Sequence, residues 1–324
     1  MIVQNLNYSA FNLDHVGSAK PLTSIEGIFP VHADQDSLTW LQYNKNDQTH
    51  QSLMSLGMIP KGVIDILCAD ETRPRTMIIE DAFVGIFRTV SAEFEETNIR
   101  EMTSVRFFVN KNLIVTIQEC PLLTMNRMVA NFQANIGPKT AAECLMFLLN
   151  GISERIEEVI TTWDTILDQL ENAPSSDVST QTKLTQLQKN MVALRRYLIP
   201  QRESFNRIEV RNLSWFDVNS QEVLKEEAES MVRLVEDLEA EKDRAALLQS
   251  AISSQGQQDT NQRMYFLSVV AAIFLPITFA TGLLGVNLAG IPFAAEPWAF
   301  PAFCLTLLTV AGGVAIYLRY RKWF

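Results

Sequence analysis

Of 324 residues, only four are cysteine and three are histidine. Cys68, Cys120, Cys144 and Cys304 are scattered, without a CxxC pair. That excludes a disulfide framework and implies free thiols in a reducing compartment. His15, His32 and His50 are far apart, with no HxxxH or mixed Cys/His spacing, so they outline no zinc site and read as ordinary surface or core histidines. Positive charge is also short: 27 Lys and Arg stand against 37 Asp and Glu, a net charge of −10. Phosphate binding needs a basic surface, so nucleic acid is excluded as the main partner. The same excess of acid is compatible with attracting cations. Neither a Gly-rich phosphate loop nor a Ser/His/Asp constellation is present, and the chain is read as not an enzyme. Met1 to Asp14 have no basic segment followed by an apolar one, so the N-terminal portion is expected in the cytoplasm.

Charge is missing altogether from two runs near the C-terminus. From Met264 to Leu318 the only formally charged side chain is Glu296. Residues 264–284 and 298–318 are each close to the roughly 20 residues that cross a hydrocarbon core at 1.5 Å rise per residue. Two such stretches in tandem read as a transmembrane hairpin. Arg263 precedes the first span, Arg319, Arg321 and Lys322 follow the second, and the connecting loop 285–297 has no Lys or Arg. The positive-inside rule then places both ends in the cytoplasm and the loop outside. Trp298, Tyr317, Tyr320 and Trp323 flank the spans, where amphipathic rings favour the membrane interface.

The charge-rich remainder divides by periodicity. Up to about residue 135 the pattern is mixed α/β. Ser37–Tyr43, Met77–Val90 and Ser104–Val109 read as strands, and Leu113–Ile117 returns after the turn Asn110-Lys-Asn112. Gln48–Met58 and Lys61–Ala69 read as helices separated by Pro60. After Gly137-Pro138 the spacing becomes helical. Ile152, Ile156, Val159, Trp163, Ile166 and Leu170 form one stripe, and Leu184, Leu187, Met191, Leu194 and Leu198 form another. Pro174-Ser-Ser separates the two helices, and Pro200 is expected to kink or interrupt the second. A third helix is predicted to start near Asp217 or Asn219 and to run without a break into the first span. From 217 to 263 it carries eleven acids against five bases. Glu226, Glu229, Glu236, Asp237 and Glu241 are candidates for an acidic vestibule that concentrates cations, against the simpler reading of a solvated face. Arg195, Arg196 and Arg202 are expected to form ion pairs between helices or a basic patch facing a neighbouring acidic helix.

The first span ends in Gly285-Val286-Asn287. A Gly-x-Asn at the outer end of the first of two C-terminal spans resembles the CorA superfamily of divalent-cation transporters. The order of segments resembles it too, over essentially the whole chain. Thr72-Arg-Pro-Arg75, Leu194–Arg202 and Phe274–Pro292 are similar to the ZntB zinc-transporter branch, although the middle residue here is Val286 where magnesium members carry Met. The resemblance implies a CorA-like funnel: an α+β cytoplasmic domain, a long-helix bundle and two C-terminal transmembrane helices, in a homopentamer in a bacterial inner membrane whose pore is lined by the first span. It implies transport of divalent cations, zinc first and proton-coupled in that branch, with Mg2+, Co2+ or Ni2+ as the alternative. Zinc would be cargo, and no cofactor is implied. A membrane-anchored interaction or sensor protein is the alternative outside transport.

On this reading, residues 1–137 form the cytoplasmic α/β domain and 138–263 the helical bundle. Residues 264–284 are the pore-lining span, 285–297 the periplasmic loop, 298–318 the second span and 319–324 a basic cytoplasmic tail. Gly285, Val286 and Asn287 form the pore mouth. Counting back from Asn287 along the helix gives Gly282 and then, by threes and fours, Thr278, Leu275, Ala271, Ser268 or Leu267, and Met264 on one helix face. A ring of Asn287 amides, with backbone carbonyls near Gly285, is expected to hold an ion through its hydration shell. The throat at Leu275, Leu267 and Met264 is expected to gate by dewetting. Thr278 is alternatively expected to bond its own i−4 carbonyl and compensate for Pro276. No titratable relay for protons is visible in the spans.

Overall fold

The computed structural model describes residues 8–22, 38–70, 73–91, 102–173, 178–208, 210, 213–286, 291, 293 and 296–320. These residues pack as two compact units, Met1–Gln249 and Ser250–Phe324.

The first unit is built on a seven-stranded sheet. Its strands are β1 (Tyr8–Leu13), β2 (Ala19–Pro21), β3 (Leu38–Asn44), β4 (Arg75–Ile79), β5 (Ala82–Val90), β6 (Met102–Val109) and β7 (Leu113–Gln118), in the order β2-β1-β3-β7-β6-β5-β4. Only β3 and β7 run parallel. The β6–β7 hairpin forms where Asn110-Lys-Asn112 predicts it. The Asn110 side chain accepts from the backbone N–H groups of Asn112 and Leu113 at 3.0 and 2.7 Å. The predicted strand Met77–Val90 is instead two strands, because Glu80 turns the chain at φ 54°. Asp81 at that turn accepts from Ser214 N–H at 2.7 Å, tying the hairpin tip to the loop that precedes the long third helix.

Each sheet face buries a different set of side chains, as strand alternation requires. One face carries Leu41, Tyr43, Val84, Phe108, Val115 and Ile117. Helices α1 (Thr49–Leu56) and α2 (Lys61–Cys68) cover it with Leu53, Val63, Ile64 and Leu67. The other face presents Trp40, Phe87 and Phe107. Trp40 lies 6.0 Å from Phe132 of α3 (Leu123–Gln133), and its ring N–H donates to Thr116 at 3.1 Å. Phe87 meets Phe205 of α5 (Val178–Asn206) edge-on at 5.3 Å.

Helix α4 (Ala141–Glu171) starts with Thr140 capping Glu143 N–H at 3.1 Å, while the Glu143 carboxylate accepts from Lys139 N–H. Its predicted stripe is buried at Ile152, Ile156, Val159, Trp163 and Leu170, and the α5 stripe is buried at Leu184, Leu187, Met191, Leu194 and Leu198. Pro174, Ser175 and Ser176 lie outside the described residues. Pro200 does not interrupt α5, which continues to Asn206. The turn beyond it is held from outside. Gln201 accepts from Arg88 N–H at 2.8 Å, and the Ser204 carbonyl accepts from the Thr76 hydroxyl at 3.0 Å.

Helix α6 runs from Val218 to Leu284, 67 residues or about 100 Å at the standard rise. Asp217 caps it by accepting from Ser220 N–H at 2.7 Å. These bonds hold the Asp217 carboxyl below its usual range, the hydroxyl of Ser220 contributing first. Leu224, Met231, Leu234, Val235, Leu238 and Ala245 are buried along its first half. The second unit holds the rest of α6 and helix α7 (Ala299–Tyr320).

Candidate permeation pathway

Among the described residues, two helices are long and apolar enough to cross a membrane, α6, through its C-terminal part, and α7. Inside hydrocarbon every backbone and hydroxyl group must find its partner within the protein. Several hydroxyls of the spans do so locally. Ser268 donates to the Met264 carbonyl at 2.8 Å, and Thr306 donates to the Ala302 carbonyl at 2.9 Å. Near Pro276 the returning hydroxyl is that of Thr281, which bonds the carbonyls of Ile277 and Thr278 at 3.0 and 3.1 Å. Back-bonding next to the proline was expected from Thr278, and it comes from one turn further on.

The circumference of α6 from residue 264 onward is divided. Val269 is 4% exposed, and Tyr265, Ile273, Pro276, Ile277 and Ala280 are half-buried, marking a covered arc. Met264, Leu267, Ser268, Ala271, Leu275, Thr278 and Gly282, the stripe read from the sequence, are all exposed. Met264, Leu267 and Leu275 reach 63%, 68% and 70%. Among the described residues, then, nothing covers the predicted lining. It is also the slimmer side of the helix. Phe266 lies off it, Phe274 and Phe279 border it, and four of its seven members are Ser, Ala, Thr and Gly.

The helix ends at a glycine with a geometric reason. Gly285 N–H donates to the Thr281 carbonyl at 2.9 Å, and a Cβ at Gly285 would stand 2.7 Å from that same oxygen. Val286 is 44% exposed just beyond it. Asn287 lies outside the described residues, as do Arg321 and Lys322.

The five vestibule candidates separate. Glu226, Glu229, Glu236 and Asp237 are exposed on α6, and Glu229 lies 4.0 Å from Lys225. Glu241 is half-buried beside a clasp centred on Arg244. That guanidinium reaches Asp164 at 2.6 Å and Glu171 through two bonds of 2.8 Å, and it also pairs with Asp168, so one α6 side chain holds three carboxylates of α4. Burial, then Asp164, pushes the Glu241 carboxyl above its usual range. Hydrogen bonding to Arg244 holds Glu171 below its own. Arg195 pairs with Glu239 of α6, as the sequence led us to expect, while Arg196 stacks on the Tyr197 ring at 4.7 Å.

Sequence reasoning missed one buried cation. Arg106 on β6 has a fully covered side chain that donates to the Leu67 carbonyl at 2.6 Å and to Glu119 at 2.9 Å. His15 bonds the Lys139 carbonyl and His50 bonds Asp65, both away from the spans in sequence, and His32 lies outside the described residues. Among the described residues, no group of three His, Cys, Asp or Glu side chains is placed to hold a metal ion.

Comparison with known proteins meets this geometry over its whole length. The chain is 28% identical over 316 residues to the zinc transport protein ZntB of Enterobacter sp. (strain 638), covering 97% of this chain and 95% of that one. The full-length CmaX protein superposes with a TM-score of 0.83 at 26% identity, covering 99% of this chain and all of that one. The complete CorA magnesium transporter of Methanocaldococcus jannaschii shares the fold, with a TM-score of 0.80 at 18% identity and full coverage of both chains. The profile of the family described as CorA-like Mg2+ transporter protein matches residues 35–321, and the chain therefore belongs to the CorA family of divalent-cation transporters.

Proposed function

We propose that this chain carries Zn2+ across a bacterial inner membrane through a homopentameric pore lined by α6, with both termini in the cytoplasm. The observation that carries the reading is the uncovered, slim face of α6 from Met264 to Gly282, which leads to Gly285-Val286-Asn287. Two helices per chain cannot enclose water, so that face becomes a pathway only when several copies bring it together. The likeness to zinc transport proteins over 97% of the chain supports zinc as cargo.

The ion enters with its water. Asn287 amides and the carbonyls near Gly285 accept hydrogen bonds from the hydration shell, because neutral amides are too weak to strip a divalent ion. The ion then passes rings of Leu275, Leu267 and Met264, which close the path by dewetting when they approach. The exposed acids Glu226, Glu229, Glu236 and Asp237 raise cation concentration on the cytoplasmic side.

A second reading, Mg2+ with Co2+ or Ni2+, is favoured by one observation: no thiolate, imidazole or carboxylate lies on the predicted face, and these are the ligands zinc prefers. Vesicles containing the purified protein decide between them. Zinc uptake that resists excess magnesium and responds to a pH gradient supports the first reading; uptake abolished by equal magnesium supports the second. Asn287→Ala is expected to lose most of the flux, and parental flux in that variant overturns the assignment of the mouth.

A further inference from the structure

Between the acidic half of α6 and its apolar end lies a stretch of different chemistry. Residues 250–263 read Ser-Ala-Ile-Ser-Ser-Gln-Gly-Gln-Gln-Asp-Thr-Asn-Gln-Arg, with Asp259 and Arg263 as the only charges. Every one of them except Ile252 is exposed. A Cβ at Gly256 would meet nothing within 4 Å. Ser, Thr, Asn, Asp and Gly are weak helix formers, and the stretch offers them a single acid–base spacing at i,i+4, Asp259 with Arg263. A helix that is polar all round and has few such pairs either bridges between domains through solvent or needs further support. Locally, the Thr260 hydroxyl bonds the Gly256 carbonyl at 2.9 Å.

The pathway stripe continues through this stretch without a change of phase. Going back from Met264 by four, three and four residues gives Thr260, Gln257 and Ser253, on the same face as Leu275 and Gly282. Immediately beyond the apolar throat, the face therefore carries a hydroxyl, a carboxamide and a hydroxyl. No carboxylate lies on it there, because Asp259 falls on the opposite side.

We propose that Gln257, flanked by Ser253 and Thr260, forms a second carboxamide ring at the cytoplasmic end of the throat. The ring receives the ion with its hydration shell intact and releases it, a specificity role paired with that of Asn287 at the outer end. This rests on the pore reading above. The physical reason for an amide is release. Carbonyl oxygens accept from bound water about as well as bulk water does, whereas a ring of carboxylates would hold a divalent ion by charge. The acids of the vestibule stay outside this zone, where they concentrate ions without trapping them.

The test uses the full-length protein in vesicles, with initial rates of Zn2+ and Mg2+ flux measured against concentration and oligomer mass checked in detergent. Gln257→Glu is compared with Gln255→Glu, which makes the same chemical change about 200° away around the helix. The expected result is half-saturation at a concentration at least about tenfold lower in Gln257→Glu, with a lower maximal rate, because added ligand charge tightens divalent binding. Gln255→Glu should match the parent. Gln257→Ala against Gln255→Ala asks the same question without added charge, and a loss of flux confined to position 257 is expected. Equal behaviour at the two positions overturns the collar and leaves the pore intact. A parent protein that moves no divalent ion overturns the pore reading, and the collar with it.

Discussion

Replacing Arg244 with Gln removes the centre of the α4–α6 clasp while keeping much of its length. The parent guanidinium bonds Asp164, Asp168 and Glu171, the last with both oxygens, and its side chain is 30% exposed. Exposed pairs are worth roughly 0.2–1 kcal/mol each, and a shared, bidentate partner sits at the upper end, so three pairs amount to about 1–3 kcal/mol. The variant also leaves four carboxylates, Asp164, Asp168, Glu171 and Glu241, without their common counter-ion, and their repulsion adds to the loss. The effect should be largest in dilute buffer and should shrink as screening shortens to about 3 Å near 1 M salt. The assay is denaturant unfolding of the intact protein in detergent, followed by tryptophan fluorescence, since Trp40 and Trp163 are buried in this unit. Salt should destabilise the parent and stabilise the variant. The pH response should also change sign. In the parent, Glu171 has a depressed pKa, so its contribution is present above the ordinary carboxylate range and is lost as pH falls through the folded-state value. Glu241, pushed upward, opposes this as it ionises. In the variant Glu171 loses the bonds that lower its pKa and Glu241 loses the nearby positive charge, so mild acid stabilises. A variant within about 0.5 kcal/mol of the parent, with the same salt and pH slopes, refutes the clasp as a source of stability.

Two further outcomes are expected with the same unfolding assay. Arg106→Ala should cost about 3–5 kcal/mol, because it empties a fully buried site and orphans the Leu67 carbonyl. Arg106→Met should cost less, since it fills the space, and Glu119 is exposed enough to regain water and has Lys45 at 3.9 Å. Asp217→Ala should cost about 1 kcal/mol through loss of the α6 cap, and Asp217→Ser should recover most of it. The Asp217 contribution should fade as acid takes the pH through its lowered folded-state pKa.

Several local features were legible because local chemistry dictates them. The turn at Asn110 closes on its own side chain. The start of α6 is fixed by one carboxylate. The absence of charge from 264 to 284 and from 298 to 318 marks spans whatever the rest of the chain does. Other features were not legible. Glu80-Asp81 splits a run that reads as one strand, since either conformation keeps the alternation and Ser214 lies 133 positions away from the Asp81 it bonds. The short β1 and β2 owe their place to pairing with β3 and with each other, and α3 to packing against Trp40. Pro200 removes a helix hydrogen bond, and the sequence does not reveal that Arg88 and Thr76 hold the following turn.

The sequence by itself determined the long helix and the phase of its apolar and slim residues, because a 3.6-residue period assigns every side chain to a face before anything packs. Whether a face is open or covered depends on what packs against it, and only the tertiary structure decided that. It left the stripe from Met264 to Gly282 uncovered and buried Val269. It also drew Glu241 out of the acidic row into the Arg244 clasp. Residues far apart in sequence meet there, and the charge of one is set by the others.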